Sequence, residues 1–447
     1  MTTVFARKAL LAKGWAANVR IRVEAGRIVA IEQGTAAAAT AEIADVVIPG
    51  ICNAHSHAFQ RALAGRTEQR SPQGEDNFWS WRTRMYELAN RVSASELTAI
   101  ATQAYSEMLL AGYTAVAEFH YLHGDPATDG DAMFAALQTA AQNSGIRLVY
   151  VPVLYERAGF EQDEALARQR RFVLSVDAFL EHHARCAAAA NELTTVAIGA
   201  HSLRAVSAAA LRAVADYACD QDLPLHLHIA EQTAEVEQCI AATGQRPVAW
   251  LLENFAVDAH WCLVHATHID AAETAALAKS GAVVCLCPST EANLGDGIFP
   301  LRDFLTHGGR IAIGSDSQIS INAFEELRWL EYGQRLLHRS RTIAALDGAH
   351  TGQELFDRVI AGGAQAGALA TTGLVPGGAA DLVTLNGDDP MLQGHNDETL
   401  LDALVFSGYR LPVDRVMVGG EWRVVAGQHI AAAAARRNFA AAMSALQ

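Results

Sequence analysis

Two histidines two residues apart, His55 and His57, follow the apolar run Val46-Val47-Ile48 and the pair Pro49-Gly50. In an extended chain, side chains two residues apart leave the same face, so both imidazoles reach one point. A second pair, His226 and His228, ends another apolar run and is followed by Glu231. His265 ends a third run, and Asp316 closes a fourth within Gly314-Ser315-Asp316-Ser317. A carboxylate at the end of an apolar strand is costly unless it meets a cation or strong donors. His55, His57, one of the pair His226/His228 and Asp316 make an N₃O donor set with room for water, the pattern of a catalytic zinc or related divalent ion. Such an ion lowers the pKa of water toward neutrality, which is hydrolytic chemistry. Glu231 and His265 stay free beside it as proton-transfer groups. The only lysines are Lys8, Lys13 and Lys279. None lies near the end of a fourth strand to bridge two ions as a carbamate, so a single ion is expected.

These residues need a scaffold that gathers strand ends. Apolar runs recur at 46–48, 114–117, 148–151, 196–198, 224–227, 262–264, 282–286 and 311–313, separated by alanine-rich helical stretches such as 95–111, which Ser93 and Glu96 introduce as a capping box. Eight buried strands alternating with helices predict a distorted TIM (β/α)8 barrel, whose active site lies at the C-terminal ends of its strands. The competing architecture is a doubly wound open sheet, because counting strands does not show closure. The two ends of the chain differ from the middle. Residues 18–24 and 27–31 form one hairpin pattern around Ala25-Gly26, and residues 413–418 and 421–425 form another around Gly419-Gly420, with a further strand at 381–385. Neither end can bury a sheet face alone. The expected division is therefore a composite β-sandwich domain from residues 1–46 and 373–447, and a catalytic barrel over 47–372.

Of the 447 residues, 51% are hydrophobic and 19% charged, with a formal net charge of −15. That describes a folded α/β protein and excludes a general nucleic-acid or anionic-membrane binder, which needs a basic surface. No run of apolar residues is long enough to span a membrane, and the stretch 9–12 between Lys8 and Lys13 is too short for a signal-peptide core. The seven cysteines include no C-x-x-C pair and read as reduced, mostly buried thiols in a cytoplasmic protein. An anionic small molecule is repelled by the global field, so binding one requires local cations.

The H-x-H after strand one, H-x-x-E after strand five, His265 after strand six and Ser315-Asp316-Ser317 after strand eight together resemble the amidohydrolase superfamily in its mononuclear deaminase branch, over essentially the whole chain. Longer stretches narrow the resemblance to the formimidoylglutamate deiminase family: residues 55–62, Asn77-Phe78-Trp79-Ser80-Trp81-Arg82, residues 289–297 and residues 325–336. The resemblance selects His228 as the ligand and leaves His226 deeper in the barrel. It implies one Zn²⁺ or related divalent ion on His55, His57, His228 and Asp316, and a homodimer. It places Gln60, Arg82, Tyr121, His201 and Arg204 in substrate binding, with Arg82 in a tryptophan-rich loop after strand one. The implied reaction is hydrolysis of N-formimino-L-glutamate to N-formyl-L-glutamate and ammonia. Asp316 takes a proton from the attacking water, His265 stabilises developing charge and Glu231 passes a proton to the substrate nitrogen. Two arginine forks answer the charge problem, since this small-molecule substrate carries two carboxylates. Weighed against this are a nucleobase-type aminohydrolase with the same metal centre, which calls for ring stacking in place of an arginine pair, and a non-catalytic barrel, which calls for missing ligands.

Overall fold

The computed structural model describes residues 1–70, 76–124, 131–346, 348–370, 373–408 and 410–447. Four strands open the chain: β1 (Thr2–Leu11), β2 (Gly14–Glu24), β3 (Arg27–Glu32) and β4 (Glu42–Pro49). The next nine are β5 (Ile51–Ser56), β6 (Tyr113–His120), β7 (Arg147–Leu154), β8 (Thr194–Val196), β9 (Ile198–Ser202), β10 (Leu225–Ile229), β11 (Trp261–His265), β12 (Val283–Leu286) and β13 (Arg310–Ile313). Four more follow: β14 (Leu382–Leu385), β15 (Val413–Val418), β16 (Glu421–Val425) and β17 (Gln428–His429).

Both ends of the chain build one eight-stranded sheet in the order β17-β16-β15-β14-β4-β1-β2-β3. Period-two alternation gives it two apolar faces. Val4, Ala6, Val19, Ile21, Val23, Ile28, Val47, Leu382 and Met417 form a core of its own, while Val46, Ile48, Val383, Leu385, Val416 and Val418 join the core shared with the helices and barrel. The sheet curls until its two hairpin turns touch. Ala380 N donates to Gly26 O at 2.9 Å, Gly420 N donates to Ala380 O at 3.2 Å, and a Cβ on Gly26 (φ +75°) would sit 3.0 Å from Gly419 O.

The second sheet is parallel, in the order β13-β12-β11-β10-β9-β7-β6-β5, with β8 beside β7. It closes between its two ends. Asp316 bridges Ser56 in parallel register, Asp316 N donates to His55 O at 3.0 Å and His57 N donates to Asp316 O at 3.0 Å. The backbones approach so closely that a Cβ on Gly314 would lie 2.7 Å from His55 O. The result is an eight-stranded barrel, and the doubly wound alternative falls. The helix Ala94–Leu110 carries the expected capping box, with Ser93 and Glu96 satisfying each other's backbone amides. Among the described residues no helix is long and apolar enough to cross a membrane.

Several placements differ from the sequence reading. The run Val46–Ile48, expected as the first barrel strand, lies in β4 and pairs with β1 and β14. The first barrel strand is β5, beyond the break at Pro49-Gly50. An apolar run records burial on both faces but not which sheet supplies the neighbours. The helix Ala432–Ala445, expected within the terminal domain, packs on the barrel helix Ala94–Leu110. The expected boundary between 372 and 373 falls at residues 371 and 372, which lie outside the described residues.

Candidate active site

The C-terminal ends of β5, β10, β11 and the segment after β13 point their polar groups at one another. Asp316 Oδ1 lies 3.3 Å from Nε2 of His55 and 3.3 Å from Nε2 of His57. The Nε2 atoms of His55 and His228 face each other at 3.0 Å. His265 Nε2 is 3.8 Å from Asp316 Oδ2 and 3.9 Å from Glu231 Oε1. One ligand atom from each of His55, His228, His265 and Asp316 falls within 4.8 Å of all the others. His265 thus sits closer to the cluster than the sequence reading placed it, and His57 joins through its contact with Asp316.

Backbone carbonyls set the ring orientations. His57 Nδ1 donates to Phe119 O at 2.8 Å and His228 Nδ1 donates to His201 O at 3.0 Å, which leaves each Nε2 lone pair facing the centre. Burial pushes the His55 pKa down to about 3 and lowers those of His57 and His228, so these rings are neutral. Burial works the other way on Asp316, but the hydrogen bond from His55 and the pull of the surrounding histidine rings, the charged His265 among them, outweigh it and hold the carboxyl below its ordinary range. The Nε2 lone pairs of His57 and His228 face the same centre as the Asp316 carboxylate, so electron pairs crowd one another there. A divalent metal answers this crowding, and the donors are of the N/O type such ions take.

Two further groups border this cluster. Burial disfavours a charged His265, yet Glu231, Glu291, Cys287 and Asp316 outweigh it and raise the pKa well above the ordinary value, with Nδ1 3.3 Å from Glu291 Oε1. Burial lifts Glu231 to about 7. Strand ends here adopt left-handed backbone: φ is +70° at His265 and +42° at Asp316. Non-glycine residues rarely occupy this region, and such strain concentrates where side chains must be aimed.

A cavity of about 520 Å³, counted out to its open mouth, adjoins the cluster and is lined by His57, His228, Glu231, His265 and Asp316. Gln60, Arg82, Tyr121, His201 and Arg204, all expected in substrate binding, line the same cavity. Gln60 Nε2 donates to Tyr121 Oη at 3.2 Å. Arg82 comes from a helix, Phe78–Ala89, and not from a loop: Asn77 and Ser80 form a capping box that starts it. Its guanidinium sits 4.4 Å over the Trp79 ring. Arg204 follows β9 and is buried, and burial works against its charge while Tyr155, Tyr86 and Glu235 support it. Nη1 of Arg82 and Nη1 of Arg204 are both buried without a hydrogen-bond partner among the described residues. Two cations with buried, unused donors in one cavity can receive an anion.

His226 and His228 share a strand but not a role. His226 is fully buried lower in the barrel, where its Nε2 donates to Ala366 O at 2.9 Å. The aromatic wall of the cavity, Trp81, Tyr86, Tyr155 and Phe172, was not singled out from the sequence. Only Trp81 stood in a motif that had drawn notice; the other three occupy ordinary core-like positions. Glu118 was also missed. Its place inside the apolar strand β6 is the same signal that drew attention to Asp316, a carboxylate where burial makes charge expensive.

A closed barrel with a histidine–aspartate cluster at its C-terminal rim and a second sheet from both termini defines a class of hydrolase. The chain belongs to the amidohydrolase family: residues 46–423 match the amidohydrolase family model. Residues 1–45 match the model described as formimidoylglutamate deiminase HutF, N-terminal domain. The formimidoylglutamate deiminase of Pseudomonas aeruginosa is 47% identical over 446 residues, covering 98% of each chain. The 8-oxoguanine deaminase of the same organism is 30% identical, over 89% of this chain and 87% of its own. Among solved structures, an amidohydrolase from Brucella melitensis superposes with a TM-score of 0.95 at 42% identity, covering 100% of both chains.

Proposed function

We propose that this protein hydrolyses N-formimino-L-glutamate to N-formyl-L-glutamate and ammonia, a step of histidine degradation. The observation that carries the reading is the pair Arg82 and Arg204, whose Nη1 donors are buried and unpaired among the described residues in the cavity that also exposes the histidine–aspartate cluster. A substrate with two carboxylates needs two such forks. The 47% identity to a formimidoylglutamate deiminase supports the same substrate.

His55, His57, His228 and Asp316 would hold one Zn²⁺ or related divalent ion, with His265 at the rim of the donor set. The ion supplies Lewis acidity that makes water acidic near neutral pH. The chain's own groups do the rest. Arg82 and Arg204 bind the carboxylates and fix the formimino carbon against the cluster. Gln60, Tyr121 and His201 shape the cavity around the substrate; burial and the neighbouring Arg204 keep His201 neutral. Asp316, ionised and poised at the cluster, accepts the proton of the attacking water. Water oxygen bonds to the formimino carbon, and His265, protonated by its acidic neighbours, stabilises the charge that develops. Glu231, with a pKa near neutrality, passes one proton to the terminal nitrogen and the proton held by Asp316 follows it; the C–N bond then breaks as the hydroxyl proton of the adduct returns to Glu231, leaving the formyl carbonyl and releasing ammonia.

The enzyme is further proposed to act in the cytoplasm, supported by seven free cysteines of which only Cys219 is exposed. It is proposed to work as a homodimer, supported by Trp329, Tyr332, Leu336 and Leu337, which leave an apolar stripe exposed on the helix Ala323–His338. The deciding experiment measures ammonia release from formiminoglutamate beside formiminoaspartate, guanine and cytosine, with and without added zinc. Formiminoglutamate is expected to be turned over fastest by the zinc-supplemented enzyme. Release from guanine or cytosine exceeding that from formiminoglutamate would replace the reading with the nucleobase alternative.

A further inference from the structure

A buried hydrogen-bond chain runs along the seam where the barrel closes. Ser315 N donates to Asn53 Oδ1 at 3.0 Å, and Asn53 Nδ2 donates back to Ser315 Oγ at 2.6 Å. Ser315 Oγ donates to Gln318 Oε1 at 2.9 Å. Gln318 Nε2 donates to Ser56 Oγ at 2.9 Å and to Asp316 O at 3.0 Å. Ser56 Oγ donates to Glu118 Oε2 at 2.6 Å, and Glu118 Oε1 accepts from Ala58 N at 2.7 Å. Asn53, Ser56, Glu118, Ser315 and Gln318 are all 0% exposed.

The protons in this chain run one way. Each hydroxyl receives from one neighbour and gives to the next, so the last member must accept at both oxygens and donate at neither. Only an ionised carboxylate does that. Holding one here is expensive: burial lifts the Glu118 pKa to about 7, even with Ser56 and Ala58 hydrogen-bonded to it. Ser56 and Ala58 flank His57, and Ser56 also follows His55. On the other side of the seam, Gln318 (φ +61°) ties down the carbonyl of Asp316 (φ +42°), both in left-handed backbone.

The geometry points to Glu118 as a positioning residue: by terminating this chain it locks the His55/His57 segment against Asp316 and presets the metal site without touching metal or substrate. The inference rests on the metal reading of that cluster. Partners that orient metal ligands change affinity by roughly 10- to 100-fold when removed.

The test uses zinc-loaded protein and competition with a chromophoric chelator for Glu118→Gln, Ser56→Ala and the double variant. Glu118→Gln keeps the shape but presents an NH₂ to a donor. Each single change is expected to weaken zinc affinity at least tenfold, and the double variant to be no weaker than the worse single one, because both cut the same chain. A purely structural carboxylate would lower the melting temperature of the metal-free protein and leave zinc affinity within twofold of the parent. That result, or strictly additive effects, overturns the proposal. If Glu118→Gln does not fold, Ser56→Ala decides alone by the same twofold criterion. A parent protein that binds no zinc would sink the metal reading itself, and this inference with it.

Discussion

Replacing Arg204 by methionine should cost activity without costing stability. The side chain is buried and its Nη1 has no hydrogen-bond partner among the described residues; burial opposes its charge, but Tyr155, Tyr86 and Glu235 outweigh it. In the substrate-free enzyme the unsatisfied donor still counts against it by ~1–3 kcal/mol, which methionine of similar length removes along with the support of those neighbours. With substrate bound the account reverses. A charge-assisted contact to a carboxylate in a desolvated cavity is worth ~2–4 kcal/mol, which corresponds to roughly a 30- to 900-fold loss in kcat/KM. Arg204→Met is thus expected to melt near the parent temperature and retain bound metal, while ammonia release from formiminoglutamate falls by that factor. Arg82→Met should behave alike, with a small loss of stability because stacking on Trp79 is lost. A variant with kcat/KM within threefold of the parent would refute the carboxylate role. So would a melting temperature reduced by many degrees, which would show that Arg204 holds the fold together.

Other consequences are open to direct measurement. His228→Ala should lose most of its bound metal after gel filtration, as read by atomic emission; full retention would remove His228 from the donor set. Chelation of the parent should lower its melting temperature and returned zinc should restore it, since saturation at 100 to 1,000 times Kd stabilises by ~2.7–4.1 kcal/mol; an unchanged melting curve would contradict a metal bound to the folded state alone. Glu326 is buried and its pKa is raised to about 8, so it favours the folded state below its ordinary pKa of 4.5 and loses that contribution as pH climbs to 8. Glu326→Gln should therefore gain stability relative to the parent between pH 5 and 8, by at most about 4 kcal/mol, in paired denaturant titrations; a constant difference across that range would refute the coupling. Finally, a thiol reagent should label one cysteine of the native protein, Cys219, and all seven only after unfolding.

Patterns of period two carried the site a long way. They brought His55 and His57 to one point and flagged Asp316 as a charge that burial penalises. The same period could not separate His226 from His228, because both leave one face of β10; the distinction is made by Ala366 O and His201 O, contributed from positions 140 and 27 residues away. The capping box at Ser93 is legible because Glu96 stands three residues on, whereas the one at Asn77 uses Ser80 there, outside the Ser/Thr-x-x-Glu/Gln pattern, so the helix that carries Arg82 is not announced. Val46–Ile48 went to the wrong sheet because hydrophobicity reports burial and not partners. The role of Glu118 emerges only when Ser56 and Gln318, 262 residues apart in sequence, meet across the seam.

That seam also orders events during synthesis. His55 and His57 leave the ribosome some 260 residues before the aspartate that clasps them. Until the segment beyond β13 emerges, the sheet has two open edges and the histidine pair has no carboxylate to meet. Metal capture by the complete donor set is therefore a late event in this protein, coupled to the final latching of the barrel, and any ion held earlier rests on an unfinished subset of the ligands.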